Sequence, residues 1–168
     1  MIGTAFYLME YKDGRVLWDA AMEDSDKDEA LGVYKSMNDS MAKLHLVNPN
    51  EIGLEDFGKP GNYVGRQVST GSKQYVDSET ENIDSMNYLI DWLPKNLPSE
   101  KRTGIVHGDY SLTNVMIGKN DPNVIAILDW ELSTLGDPCA DFNYHCLQYI
   151  MNPKSVSYTH LTLPTNGT

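Results

Sequence analysis

With 168 residues, 40% of them hydrophobic and 22% charged, the chain can bury one sizeable core and has the makeup of an ordinary globular domain. A formal net charge of −11 argues against a general binder of nucleic-acid backbones, which needs a basic face, and suits an acidic solvated surface or a cationic substrate. No apolar run is long enough to cross a membrane and no signal peptide is visible, so the expectation is a cytoplasmic protein with neither a membrane nor a nucleic acid as partner.

In chain order, residues 4–11 (TAFYLMEY) are apolar and aromatic and read as a buried strand, closed by the turn signal Asp13-Gly14. Ser25 with Asp28 reads as a capping pair. It opens an amphipathic helix on which Leu31, Tyr34, Met37, Met41 and Leu44 recur at helical spacing. Residues 48–62 are rich in Gly, Pro and Asn and read as a loop. Residues 63–75 predict a weaker helix with Gly71 as its flaw. Residues 83–93 predict a better one, ended by Pro94.

A compact β region follows. Residues 104–106 and 115–117 are short apolar strands, residues 118–123 (GKNDPN) are turn chemistry, and the β-branched run 124–128 stops at Asp129. From Pro138 a helix carries Cys139, Phe142, Cys146, Leu147, Tyr149 and Ile150. Its two cysteines, seven positions apart on a helix, would have Cα atoms about 10 Å apart, too far for a disulfide. They are expected to be reduced and mostly buried, as in a cytosolic compartment.

The chemistry concentrates in residues 105–142, IVHGDYSLTNVMIGKNDPNVIAILDWELSTLGDPCADF. Asp109 and Asn114 lie in the loop before a predicted hairpin and Asp129 lies just beyond its second strand, so the hairpin can bring the three side chains together. Phosphoryl transfer to a hydroxyl needs a proton acceptor, hard oxygen ligands for Mg²⁺, and positioning. Asp109 suits the first role, Asn114 and Asp129 the second. His107 is expected to brace the loop by hydrogen bonding. The five-residue step from Asp109 to Asn114 matches the protein-kinase catalytic loop. The plain alternative makes Asp109 and Asn114 turn formers and Asp129 a strand-end residue.

HGDYSLTNVMI together with AILDWELSTLGDPCADF resembles the aminoglycoside phosphotransferase and choline kinase family. More narrowly, GTAFYLMEYKDGRV, DFGKPGNYVGRQVSTGSKQYVDSET and LDWELSTLGDPCADFNYH are similar to the phosphotransferase domains associated with acyl-CoA dehydrogenase family members 10 and 11 and their bacterial relatives. The resemblance implies an α+β, protein-kinase-like fold. It would be mostly the helical C-terminal lobe with the hinge strand and a catalytic β-hairpin, the N-terminal lobe being largely missing. It implies ATP and Mg²⁺ as cofactors, with Asp109 as catalytic residue and Asn114 and Asp129 as metal ligands. Met9, Glu10 and Tyr11 match the hinge whose backbone meets adenine. His107, Glu131, Asp137 and Asp141 match supporting positions, Asp137 and Asp141 as buttresses of the catalytic loop. A small hydroxylated acceptor is implied, with a hydroxyacyl-CoA suggested by the subgroup, and with an acyl-CoA dehydrogenase fused or neighbouring.

The departures from the pattern are Ser111 where Arg is frequent, Gly71 where a large aromatic is usual, and no counterpart of the Gly-rich phosphate loop, the strand-borne Lys and its partner Glu. Residues 1–154 are therefore read as a partial kinase-like domain, with activity expected of the parent and not of the fragment alone. Residues 155–168 (SVSYTHLTLPTNGT) lack charge, break the last helix pattern and resemble translated sequencing adaptor. They are expected to be a non-native or disordered tail. Two other readings stand beside the kinase: a catalytically silent module that binds a nucleotide or partner, favoured by Ser111, and a metal-dependent hydrolase using His107, Asp109, Asp129 and His145, which leaves Asn114 without a purpose.

Overall fold

The computed structural model describes residues 8–19, 22 and 25–150. Among these, the chain forms two compact units. One comprises the described residues up to Ser40 together with Ser111–Asp129; the other comprises Met41–Tyr110 together with those from Trp130 onward.

The first unit is built on a three-stranded antiparallel sheet in the order β1 (Gly14–Arg15), β3 (Val115–Gly118), β4 (Val124–Ile127). Gly14 pairs with Gly118 and Arg15 with Ile117, while Val115 pairs with Ile127 across the β3–β4 hairpin. A bulge between Met116 and Ile117 lets Ile117 face Val124. The hairpin and its GKNDPN turn fall where residue chemistry predicts them. Helix α1 (Lys27–Leu46) begins in this unit, and the hydroxyl of its Ser36 accepts the Val124 amide at 2.8 Å. Val33 and Met37 on α1, with Leu112, Val115 and Ile117, form its buried apolar set. Each contributes about 1.5–3 kcal/mol by leaving water.

The second unit holds the two-stranded antiparallel sheet β2 (Gly104–Val106) with β5 (Thr134–Gly136), helices α2 (Tyr63–Ser78), α3 (Asp84–Trp92) and α4 (Cys139–Ile150), and the end of α1. Its interior is Met41, Tyr63, Ile105, Val106, Tyr110 and Leu135, with His107, Asp141 and His145 as buried polar groups. Helix α2 starts after Asn62, which offers no side-chain cap; the Glu100 carboxylate takes the Val64 amide instead, at 3.0 Å. The Tyr63 ring lies so close to Gly136 that a Cβ there would stand 2.6 Å from it, which is why β5 carries glycine at that point.

Several sequence expectations change. Residues 4–7 lie outside the described residues, and Leu8 to Tyr11 form no strand: Leu8 and Tyr11 are 91% and 84% exposed. No strand partner is available to them among the described residues. Gly14 is not a turn residue but enters β1. Asp26, not Ser25, caps α1, its Oδ1 accepting the Glu29 amide at 2.7 Å. Leu31 is 52% exposed, and Val33 takes its place on the buried side of α1 beside Met37 and Met41. Helix α2 runs through Gly71 to Ser78, because a side chain at 71 would face open space and packing does not depend on it. On α4, Phe142 and Ile150 point outward and Cys139 is exposed, while Asp141 and His145 are the buried positions. Both cysteines are free thiols. Residues 155–168 lie outside the described residues.

Candidate active site

The loop that leaves β2 carries His107, Gly108 and Asp109, and the first turn of α4 is wired to it. The Asp141 carboxylate accepts the His107 amide at 2.7 Å, the Gly108 amide at 2.8 Å, and Nε2 of His45, from the end of α1, at 2.9 Å. Burial alone would raise the Asp141 pKa, but the His45 hydrogen bond and the two amides outweigh it and hold the carboxyl below its usual range. A buried charge held by three donors at once is rigid, because each lost bond would expose an unpaired group in a low dielectric.

Gly108 turns the chain with φ +86°, and a Cβ there would meet the Leu132 carbonyl oxygen at 2.7 Å. Only glycine fits both the left-handed backbone and the gap. The following amide, of Asp109, donates to Nδ1 of the fully buried His107 at 3.3 Å. The His107 ring is packed against Trp130 and edge-on to Tyr110, with centroids 4.9 Å and 5.9 Å away. The Asp109 side chain is part-buried and lies near Tyr144 of α4. Burial first, and then Asp109, push the Tyr144 pKa up, so this phenol remains a donor at neutral pH.

Asp137 sits just before α4, where its Oδ1 accepts the Cys139 amide at 3.0 Å and its carbonyl accepts the Ala140 amide at 2.9 Å. It caps the first turn of α4, the helix that carries Asp141. Glu131 is exposed in the short 3-10 turn Trp130–Leu132.

Asn114 and Asp129 belong to the first unit and lie at one end of the β3–β4 hairpin. Asn114 closes a 3-10 turn, its amide donating to the Ser111 carbonyl at 3.1 Å, and its own carbonyl accepts the Leu128 amide at 2.8 Å. That bond sets Asn114 beside the residue that precedes Asp129. Asp129 itself has φ +62°, left-handed backbone that a non-glycine residue seldom adopts. The turn takes the chain out of β4 at the carboxylate. The side chains of Asp129 and Asn114 offer a carboxylate and an amide oxygen, hard donors of the type Mg²⁺ takes, the ion otherwise keeping several waters. The residues present fit that ion. Ser111 directs its hydroxyl to Thr113, Oγ to Oγ1 3.0 Å.

Met9 and Tyr11, expected at a hinge, are 70% and 84% exposed in irregular chain, and Glu10 pairs with Lys12 at 2.8 Å. Among the described residues, no group of three or more His, Cys, Asp and Glu side chains could hold a metal ion, which leaves the hydrolase reading unsupported. His145 is a core residue, its ring 6.2 Å from that of Tyr110, and burial lowers its pKa. Two clefts, of about 290 Å³ beside α2 and α3 and about 440 Å³ beside Arg15 and Lys119, are lined by none of the candidate residues. Sequence reasoning missed Gly108, His45 and Tyr144. A glycine between His and Asp signals a backbone need, and Tyr144 stands three positions after Asp141, on the same helix face; His45 carries no such signal.

The sequence profile of the phosphotransferase enzyme family matches residues 2–160. Acyl-CoA dehydrogenase family member 10 of Mus musculus is 44% identical over 151 residues, 90% of this chain and 14% of the relative. Acyl-CoA dehydrogenase family member 11 of Homo sapiens is 38% identical over 157 residues, covering 93% of this chain and 20% of the relative. A solved Ralstonia eutropha protein, provisionally named an aminoglycoside phosphotransferase, superimposes with a TM-score of 0.82 at 49% identity over 86% of this chain. This chain spans 45% of that protein's length. With that identity and overlap, the mixed helix and sheet described above is the aminoglycoside-phosphotransferase, protein-kinase-like fold.

Proposed function

Because the chain belongs to the phosphotransferase enzyme family, we propose that it is part of an ATP- and Mg²⁺-dependent kinase that phosphorylates a hydroxyl group of a small molecule. The observation that carries this reading is the held presentation of Asp109: its loop is gripped through two backbone amides by Asp141. Asp109 accepts or orients the proton of the attacking hydroxyl. Asn114 and Asp129 hold the metal through their side-chain oxygens. Mg²⁺, when bound with ATP, neutralises charge that develops on the transferring phosphoryl group. Met9 to Tyr11 meet the adenine through their backbone. Glu131 lends a supporting hydrogen bond near the metal, and His107 keeps the loop in shape.

The dehydrogenase names of the relatives point to an acyl compound as acceptor. We take a hydroxyacyl-CoA as first choice, with the dehydrogenase fused or neighbouring, in the reducing setting of the cytoplasm. Among the described residues, no helix is long and apolar enough to cross a membrane.

The test uses the full-length protein that carries this domain, with Mg²⁺-ATP and a panel of hydroxyacyl-CoAs, amino sugars and simple alcohols. Asp109→Asn should lower kcat by about 10²–10⁴ and leave nucleotide affinity nearly intact, because the proton acceptor acts in the transition state. Loss of ATP affinity with kcat unchanged would contradict the role given to Asp109. ATP binding without transfer to any acceptor would favour the silent-module reading, for which Ser111 speaks.

A further inference from the structure

The two oxygens of Asp141 do different work. Its Oδ1 accepts the Gly108 amide at 2.8 Å, while Oδ2 accepts both the His107 amide at 2.7 Å and Nε2 of His45 at 2.9 Å. The two amides belong to the loop that the carboxylate holds. The third donor comes from the last turn of α1, 96 positions away in sequence. An ionised carboxylate only accepts, so Nε2 carries the proton. Two amides of one loop can swing together with the carboxylate about its side-chain torsions. A donor from a different helix opposes that swing, because a rotation that keeps the amides lengthens and bends the bond to His45. The end of α1 is also seated against β2, the strand that leads into the loop: a Cβ on Gly104 would lie 3.6 Å from the His45 carbonyl oxygen. Met41, one turn earlier on α1, is buried, so His45 projects from a packed face of that helix.

The geometry points to His45 as a positioning residue for the reaction: by fixing the Asp141 carboxylate from α1, it sets where the backbone of His107 and Gly108, and Asp109 after it, stands. This rests on the reading of Asp109 as the proton acceptor. Gly108 turns the loop with φ +86° and is followed directly by Asp109, so a shift at the Gly108 amide is passed to the Asp109 Cα. A displacement of about 1 Å is enough to cost two orders of magnitude in rate. An imidazole suits the tether. Its flat ring turns on two torsions and loses less freedom when fixed than a lysine ammonium on its four-carbon stem. Burial works against the charge on Asp141, and the His45 bond leads the contacts that sustain it, ahead of the two amides. Loss of His45 therefore weakens the grip on the loop as well as the tether to α1.

The experiment compares wild type, His45→Leu, His45→Gln and Asp109→Asn in the full-length protein. It reads turnover of Mg²⁺-ATP with the panel of hydroxylated acceptors, and hydrogen exchange of the peptide that spans the loop, at a temperature where circular dichroism shows each variant folded. Gln brings an amide N–H close to the place of Nε2, whereas Leu fills the volume without a donor. His45→Leu should lower kcat between about ten- and a hundredfold and leave KM for ATP unchanged. It should also speed exchange of the His107 and Gly108 amides about tenfold. His45→Gln should recover most of both losses, which a histidine needed only for packing would not predict. Wild-type kcat in His45→Leu, loop exchange at the wild-type rate, or a Gln variant no better than Leu would each overturn the proposal. Should His45→Leu fail to fold, His45→Asn replaces it: its amide stops short of Asp141, and equal kcat in the Asn and Gln variants would overturn the proposal. Full turnover in Asp109→Asn would instead overturn the assignment of Asp109 and the catalytic consequence with it, while the exchange rates would still show whether His45 holds the loop.

Discussion

Asp141 keeps a charge at 1% exposure, where an isolated carboxylate would take up a proton. His45 and two loop amides make the ionised form the cheaper one, so its folded pKa lies below the usual carboxylate value. For a depressed carboxylate the linkage has one sign: the stabilisation is complete above the unfolded pKa, about 3.9, and is lost as pH falls through the folded value. Asp141→Asn should therefore be less stable than wild type by about 3–5 kcal/mol at neutral pH, with the gap closing as pH falls below about 4. Urea midpoints of both proteins between pH 7 and pH 3 check this, and a gap that stays constant would mean that the charge on Asp141 contributes nothing. At this scale the sequence is legible where a residue type has one use. Asp109, Asn114 and Asp129 stand out as candidates because their spacing and oxygen chemistry suit one reaction. Asp137 shows the limit: it shares a motif with Asp141, yet its carboxylate caps α4 while Asp141 holds the loop. His45 was not legible because its partner is 96 positions away, and nothing local marks a histidine at a helix end as half of a buried pair.

Elements were legible where periodicity was strong. The β3–β4 hairpin announces itself through β-branched runs around turn residues, and α1 through its apolar repeat. Ends and short pieces were not. The three-residue strand β5 has too few positions to show alternation and exists because β2 pairs with it from Gly104 to Val106. The start of α1 is a contest between adjacent candidates: Ser25 and Asp26 are both good caps, and which one wins depends on where the chain enters the helix. The structure decides for Asp26, whose carboxylate takes the Glu29 amide and whose carbonyl takes the Ala30 amide. Asp26→Ala should cost about 1 kcal/mol of stability, whereas Ser25→Ala should stay within about 0.5 kcal/mol. Chemical denaturation of the two variants separates them, and the reverse order would return the cap to Ser25.

For the whole molecule, the kinase reading depends on groups that the 168 residues do not all supply. The resemblance places a Gly-rich loop over the phosphates and a strand-borne Lys against them, and neither has a counterpart ahead of Met9, Glu10 and Tyr11 in this sequence. The chain spans 45% of the solved relative and 14–20% of the dehydrogenase-named relatives it matches. Leu8, Tyr11 and Trp18 stand 91%, 84% and 80% exposed, and apolar surface of that kind marks either a contact with further protein or an aggregation hazard. Phosphoryl transfer is mainly positioning and electrostatic stabilisation, and the loss of one preorganised donor can cost about 10²–10³ in kcat. With several donors wanting, the purified 168-residue chain should turn over Mg²⁺-ATP at a small fraction of the rate of the full-length protein, even though its catalytic loop is held in place by α4. The two preparations are compared at equal concentration of folded protein, with the same hydroxylated acceptors. A rate for the isolated chain on the order of 1–100 s⁻¹, the ordinary range for kinases, would mean that residues 1–168 already carry the phosphate-binding groups in a form the sequence does not advertise.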